Sequence, residues 1–367
     1  MSIDCDVNFE YANVSEYEAL RRELTLWARI RNFPLYATFE LTPYCNLQCP
    51  MCYVRLDPIH AAKQGKLMTG KQWLEIARQA RDMGLLFMTL TGGEPFLHPD
   101  FWEIYDGVLE LGLLPNIYTN GCLINEEIVE RLKKKPPHNI KISVYGASNE
   151  TYEKMCGVKD GYTKVCHAID LLKEAGLDFF CTTTVVRENR QDIAALYAMA
   201  REKGIRYFHT IAVTNTARDA LSDPLKSRMS SEEAGWSLER LEQEKRKGDY
   251  SEPFAACGGY AISFFLTWHG HMQFCGFSSK PYVQITEPID VKKTWEDMIE
   301  ETRRITTPKQ CASCPHAEFC KRCPGLLAAE SGDPSVASPA FCKQAIELHK
   351  LYDKLKEEAE AKPQTDG

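Results

Sequence analysis

The sequence predicts an α/β fold: a partial barrel of six βα units, open on one side. Three observations carry that expectation. From Tyr36 to about Val213, short β-rich runs alternate with helical stretches, the pattern of parallel βα units. Six such units can be drawn. Residues with chemical potential fall again and again at the carboxyl ends of the expected strands, where parallel α/β folds gather function. The alternation alone also suits an open doubly wound sheet, and that alternative stands at this point.

The expected strands are 36–41 (YATFEL), 85–90 (LLFMTL), 114–119 (LPNIYT), 139–144 (NIKISV), 179–186 (FFCTTTVV) and 206–213 (RYFHTIAV). Between them lie GKQWLEIARQARDMG, EEIVERLKK, YTKVCHAIDLLKEAG and DIAALYAMAREKG. Several of these end in Lys or Arg followed by Gly, a helix stop. Ahead of the first strand, residues 1–35 are mostly one helix (VSEYEALRRELTLWARI). Residues 36–214 form the barrel. Residues 215–252 shift to a loop (TNTARDALSDP begins it) and an exposed helix of mixed charge, SSEEAGWSLERLEQEKRKGD, that links two domains. A cysteine-rich region follows at 253–345, and 346–367 reads as a charged helix fading into a disordered tail.

A chain of 367 residues suits roughly two domains with ample core. Its 44% hydrophobic content is that of a soluble globular protein. No run of eighteen apolar residues occurs and the N-terminus is acidic, so neither a membrane span nor a secretory signal is expected, and the cytoplasm is the default. A net charge of −7 argues against a nucleic-acid footprint. In a reducing compartment the fifteen cysteines read as metal ligands rather than disulfides. Cys5, Cys122, Cys156, Cys166 and Cys181 are scattered singly and read as packed thiols.

The sharpest motif follows the first strand. Cys45, Cys49 and Cys52 (CNLQCPMC) sit in a loop broken up by Pro43, Asn46 and Pro50. Three thiolates can hold three irons of a four-iron cubane and leave the fourth iron open, whereas electron-transfer clusters use four cysteines. A zinc knuckle or plain buried thiols are the competing readings. After the second strand comes TGGEP (Thr91 to Pro95): Gly92 and Gly93 permit close backbone approach, and Glu94 offers an acceptor for an ammonium group. The third strand ends in YTNG and the fourth in SVYG.

Together these motifs resemble the radical S-adenosylmethionine (SAM) superfamily. The resemblance implies that Cys45, Cys49 and Cys52 ligate a [4Fe-4S] cluster whose open iron chelates SAM. Electron transfer from the cluster would cleave SAM to methionine and a 5′-deoxyadenosyl radical. By the same resemblance Gly92, Gly93, Glu94 and Pro95 receive the SAM amino group, Ser143 bonds its ribose or carboxylate, and Thr119 and Asn120 line the site. Many members carry an aromatic residue just before the third cysteine; here Met51 stands there, with Tyr53 after the cysteine. A backbone contact to adenine tolerates that change. Arg187 is a charged residue at the fifth strand that could reach the SAM carboxylate, with a surface arginine as the other reading.

A second cysteine pattern lies in the C-terminal region: Cys257, Gly270, Cys275, then Cys311, Cys314, Cys320 and Cys323, and finally Cys342. It resembles the SPASM extension of radical SAM enzymes, a module that binds auxiliary iron–sulfur clusters. The last gap is one residue shorter than the usual spacing (Lys321 and Arg322 alone separate Cys320 from Cys323). The resemblance implies two auxiliary clusters of the [4Fe-4S] type: one held by Cys311, Cys314, Cys320 and Cys342, the other by Cys257, Cys275 and Cys323 with one ligand short. Cys5, His269 or His271, or an open iron are the three ways to complete it. A zinc module is the competing reading for paired CxxC units.

SPASM-bearing enzymes typically act on peptides or proteins, and the stretch around Cys314 to Cys342 looks like maturases of ribosomally made peptides, which form thioether or carbon–carbon crosslinks in a precursor. That implies a precursor peptide as substrate, a separate leader-binding protein, and a reducing partner such as flavodoxin or ferredoxin. The alternatives are a sulfatase-maturase-like dehydrogenase or a tetrapyrrole-modifying enzyme. Outside enzymes stands a metal-stabilised binding protein without SAM chemistry. No catalytic acid or base can be assigned; Tyr145, His209, Tyr260, His269 and His271 read as structural.

Overall fold

The computed structural model describes residues 16–211, 213–215, 219–246, 251–255, 257–320 and 322–361. Cys5, Lys321 and the expected tail beyond 361 lie outside these residues. Nine strands form one sheet: β1 (Tyr36–Glu40), β2 (Phe87–Thr91), β3 (Leu114–Thr119), β4 (Asn139–Ser143), β5 (Phe179–Thr184), β6 (Arg206–Thr210), β7 (Ser263–Leu266), β8 (His271–Gln273) and β9 (Tyr282–Gln284). Their order is β6-β5-β4-β3-β2-β1-β7-β8-β9. Strands β1 to β6 are adjacent in sequence order and parallel throughout. A doubly wound sheet would reverse its order about a central strand, so this winding is that of a partial barrel.

Each βα unit has a physical reason. Thr69 opens the helix Gly70–Asp82 with a capping box to Gln72, and Asn125 caps Glu126–Lys134 through Ile128 N. Alternation then sorts the strand residues. Ile117, Ile140, Ile142 and Cys181 are fully buried among the helices, with Ile142 beside Val165. Tyr118, Lys141, Ser143 and Thr182 take the opposite face, toward the barrel lumen.

Five of the six expected strands shift at an end, and two of these shifts have a clear cause. Leu85 belongs to the turn that closes the preceding helix, its N–H bonded to Ala80 O, so β2 begins at Phe87. The last strand stops at Thr210 because Ile211 leaves the sheet to pack beside Trp236. The expected exposed linker helix is corrected more substantially. Among the described residues of that stretch only Leu238–Glu244 is helical, and Trp236 and Leu241 are buried against Phe319, Leu348 and Tyr352. The mixed charge masked an apolar stripe that the C-terminal helix Pro339–Glu360 covers.

The C-terminal region continues the barrel sheet. Strand β7 pairs parallel with β1, Tyr36 opposite Ser263, and β8 and β9 follow antiparallel. The segment before it is tied down at three points. Leu221 N bonds Arg55 O at 3.1 Å, Ser222 Oγ bonds the Cys52 carbonyl, and Arg228 forms a paired contact with the buried carboxylate of Glu330. This segment therefore spans from the cysteine loop to the helix Pro324–Ser331.

Candidate active site and cysteine groups

At the carboxyl end of β1 the chain turns through Thr42 and Pro43 into the loop of Cys45, Cys49 and Cys52. Cys49 is buried; the other two thiols are partly covered. The TGGEP turn of β2 is built onto this loop. Gly93 N bonds Thr42 O at 2.7 Å, and Glu94 N bonds Tyr44 O at 2.8 Å. A Cβ on Gly92 would stand 2.6 Å from Thr42 O, and one on Gly93 would collide with the Tyr44 carbonyl. The close approach that these glycines permit is thus to the cysteine loop itself.

Glu94 is fully buried and knits β2 to β3. It accepts hydrogen bonds from Thr119 Oγ1 at 2.8 Å, Asn120 N at 2.9 Å and Phe96 N at 3.4 Å. It also caps the short turn Pro95–Leu97. Asn120 in turn donates from Nδ2 to Asn46 Oδ1 at 2.8 Å and approaches Cys45 Sγ at 3.7 Å. So Asn120 reaches the cysteine loop, whereas Thr119 points to Glu94. Ser143, opposite Thr182, ends β4 one strand beyond Asn120. Met51 is buried in the main core.

Burial pushes the Glu94 carboxyl up to about 7, against the lowering effect of Asn120, Thr119 and Phe96. Between the ordinary carboxylate range and that value, the native state keeps a proton that the unfolded chain has released. Stability therefore falls as pH rises through that window. In the apo-protein, Glu94→Gln is expected to flatten this slope, by about 3 kcal/mol in all. Denaturant unfolding of both proteins between pH 4 and pH 8 reads it; parallel curves would contradict the burial argument.

Sequence reasoning missed one neighbour. Cys156, expected as a packed thiol, is fully buried with its Sγ 3.6 Å from Cys49 Sγ, and its carbonyl accepts Gln48 N. It ends the helix Asn149–Cys156, and nothing in its local sequence marks that contact. Arg187 lies elsewhere, binding Glu233 and the carbonyls of Lys226 and Arg228. His209 bonds Tyr197, Tyr260 stacks on Phe254, and Tyr145 packs against Tyr152.

The donor set fits an iron–sulfur cluster. Burial raises the thiols of Cys45 and Cys52, the latter to about 11, with further raising from neighbouring thiols of the loop. Cys49 rises through its contact with Cys156 and burial, with Arg55 as the opposing cation. Such thiols need a cationic centre to become thiolates. Among the described residues no three His, Cys, Asp or Glu side chains converge enough to hold a single metal ion. A cubane does not require that convergence, because each thiolate meets its own iron.

The C-terminal thiols fall into two groups. Burial raises both Cys311 and Cys320, with Cys342 and Cys314 adding to the first and Cys311 and Cys342 to the second, against the lowering effect of Arg322. Separately, burial pushes Cys275 up to about 12, with Cys323 and Cys257 adding to it, and burial raises Cys323, with Cys257 adding. Gly325 makes the second group compact, since a Cβ there would stand 2.8 Å from Cys275 Sγ. His269 and His271 face each other at 3.1 Å, and His271 stacks on Tyr282. Between the groups, Arg246 bonds the carbonyls of Cys320 and Arg322.

A parallel partial barrel that gathers three thiols at the end of its first strand defines a class of cluster-dependent barrel enzymes. Residues 39–200 match the Radical SAM superfamily, so this part of the chain is a radical SAM domain. Membership implies SAM and a [4Fe-4S] cluster as cofactors. The chain is 25% identical over 336 residues to the AdoMet-dependent heme synthase of Methanosarcina barkeri, covering 82% of this chain and 94% of that protein. It is 30% identical over 250 residues to the PqqA peptide cyclase of Granulibacter bethesdensis, spanning 63% of this chain and 64% of the relative. In fold it resembles Streptococcus suis SuiB bound to precursor peptide SuiA, with a TM-score of 0.62, 20% identity and coverage of 94% and 84%. Among the described residues no helix is long and apolar enough to cross a membrane.

Proposed function

We propose that this enzyme modifies a ribosomal precursor peptide, forming a thioether or carbon–carbon crosslink. Cys45, Cys49 and Cys52 would hold the SAM-binding cluster. The bound cofactors supply reductive cleavage of SAM and the radical that abstracts a substrate hydrogen. The chain's own residues do the rest. Glu94, through Thr119 and Asn120, fixes the turn beside the cysteine loop; Asn120 and Ser143 line the lumen mouth; the segment 219–228 covers the loop from the side. Cys311, Cys314, Cys320 and Cys342 would hold one auxiliary cluster, and Cys257, Cys275 and Cys323 a second with a ligand short. A leader-binding protein and a flavodoxin or ferredoxin would complete the system.

The observation that carries this reading is the division of the seven C-terminal thiols into two groups beside a barrel with an intact cysteine loop. The PqqA peptide cyclase relative supports a peptide substrate. A second reading, modification of a tetrapyrrole side chain, is favoured by the near full-length match to a heme synthase.

One experiment separates them. The anaerobically reconstituted enzyme, with SAM and reductant, is incubated with precursor peptides or with a propionate-bearing tetrapyrrole, and the products are weighed by mass spectrometry. A peptide lighter by two hydrogens, with 5′-deoxyadenosine formed, is the expected result. Loss of carboxyl groups from the tetrapyrrole with peptides unchanged would favour the second reading. No 5′-deoxyadenosine with any substrate would sink both.

A further inference from the structure

We propose that Lys141, on the lumen face of β4, anchors a carboxylate of the substrate, so that the enzyme selects an acidic group next to the carbon it attacks. The inference rests on the function proposed above and adds a substrate feature to it.

The register places this amine. Tyr118 lies opposite Lys141 and Lys141 opposite Phe180, which is opposite Arg206. These four side chains form one layer of the lumen. Ser143, two residues on, lies opposite Thr182 in the next layer toward the cysteine loop. A two-residue step along a strand is about 7 Å. The ammonium thus sits one side-chain layer below the level at which Asn120 and Ser143 face the loop. A substrate group held there would have its neighbouring carbon directed at that level.

Lys141 has an unusual environment for a lysine. Its flanking residues, Ile140 and Ile142, are fully buried on the helix side, so the chain cannot turn the amine outward without losing the core. The ammonium lies 3.7 Å from the centre of the Tyr118 ring, a cation–π contact. No carboxylate among the described residues pairs with it. The other cation of the layer, Arg206, is already matched to Asp178 at 2.6 Å. Glu40 shares the layer by register with Thr91 but lies three strands away, about 14 Å along the sheet. Burial alone lowers the Lys141 amine, to about 8, which leaves it mainly protonated at neutral pH.

A half-buried cation without a counter-charge, held on the lumen face of a strand, is unfavourable unless a ligand completes it. A carboxylate makes a charge-assisted hydrogen bond there, strengthened by the low dielectric. It can belong to an Asp or Glu of a precursor peptide or to a tetrapyrrole propionate; the chemistry at Lys141 is the same.

The test uses the reconstituted holoenzyme with 13Cε-labelled lysine, the Lys141 signal being identified by its absence from Lys141→Arg. Glutarate, the probe for a carboxylate, is expected to shift that signal saturably, and neutral glutaramide to leave it in place. A Glu-containing peptide against its Gln twin, and a propionate tetrapyrrole against its methyl ester, then identify the source. Whichever acid binds should lose at least tenfold in affinity in Lys141→Gln, while its neutral twin changes little. A signal unmoved by every carboxylate overturns the proposal, as does a shift by SAM alone equal to that of glutarate, which would assign the amine to the cofactor. Failure of the parent reading is seen separately, as wild-type enzyme that yields no 5′-deoxyadenosine.

Discussion

Replacing Cys45, Cys49 and Cys52 together by alanine is expected to lower iron from about twelve to about eight per chain, given cubane stoichiometry. SAM cleavage should vanish with them. The logic is local: the three thiols occupy one loop at the end of β1, while the C-terminal groups are built from other segments. Anaerobic iron and sulfide analysis with electron paramagnetic resonance checks it. In wild type, SAM should perturb one signal; in the variant no signal should respond. Loss of all iron would mean that the three sites form cooperatively. Zinc in place of iron in the C-terminal region would overturn the auxiliary clusters and leave a structural module.

Gly93→Ala should be almost as damaging, although it replaces no proposed cluster ligand. The added carbon would meet the backbone of Tyr44 and Pro43, which no rotamer change can relieve. Either the TGGEP turn or the cysteine loop must move, at a cost of about 3 kcal/mol or more. The Gly93 N to Thr42 O and Glu94 N to Tyr44 O bonds hold the two together, so the expected outcome is a protein of lowered stability that fails to retain the SAM-responsive cluster. Gly107→Ala is the control. The nearest atoms to its new carbon all belong to the Leu74 side chain, which can rotate away, and alanine favours its helix. Equal cluster loss in both variants would refute the backbone argument.

Much of the barrel was legible because strand and helix periods are short-range properties. The run 114–119 coincides with β3, and 126–134 coincides with its helix. Strand ends were less legible, since Ile211 continues a β-rich run yet finds an apolar partner in Trp236 outside the sheet. The linker misled for the same reason: its charges are local, whereas the surface that buries Trp236 and Leu241 comes from Phe319, Leu348 and Tyr352, far along the chain. At the site, sequence located the turns but not the direction of side chains within them. Thr119 and Asn120 are adjacent, yet one serves Glu94 and the other reaches Cys45. Cys156 gave no signal at all. Lys141 did give one: a charge between two isoleucines in an expected buried strand marks a residue that faces inward.

The pairing of β7 with β1 has a consequence for biosynthesis. The first strand finds β2 soon after it is made, but its other edge stays unpaired until Ser263–Leu266 emerge from the ribosome. For most of translation the nascent chain therefore carries an open strand edge next to the cysteine loop, and such edges invite association between chains. Overproduction faster than chaperone capture should yield aggregates whatever the iron supply, and slowing synthesis should recover soluble protein even before a cluster is installed.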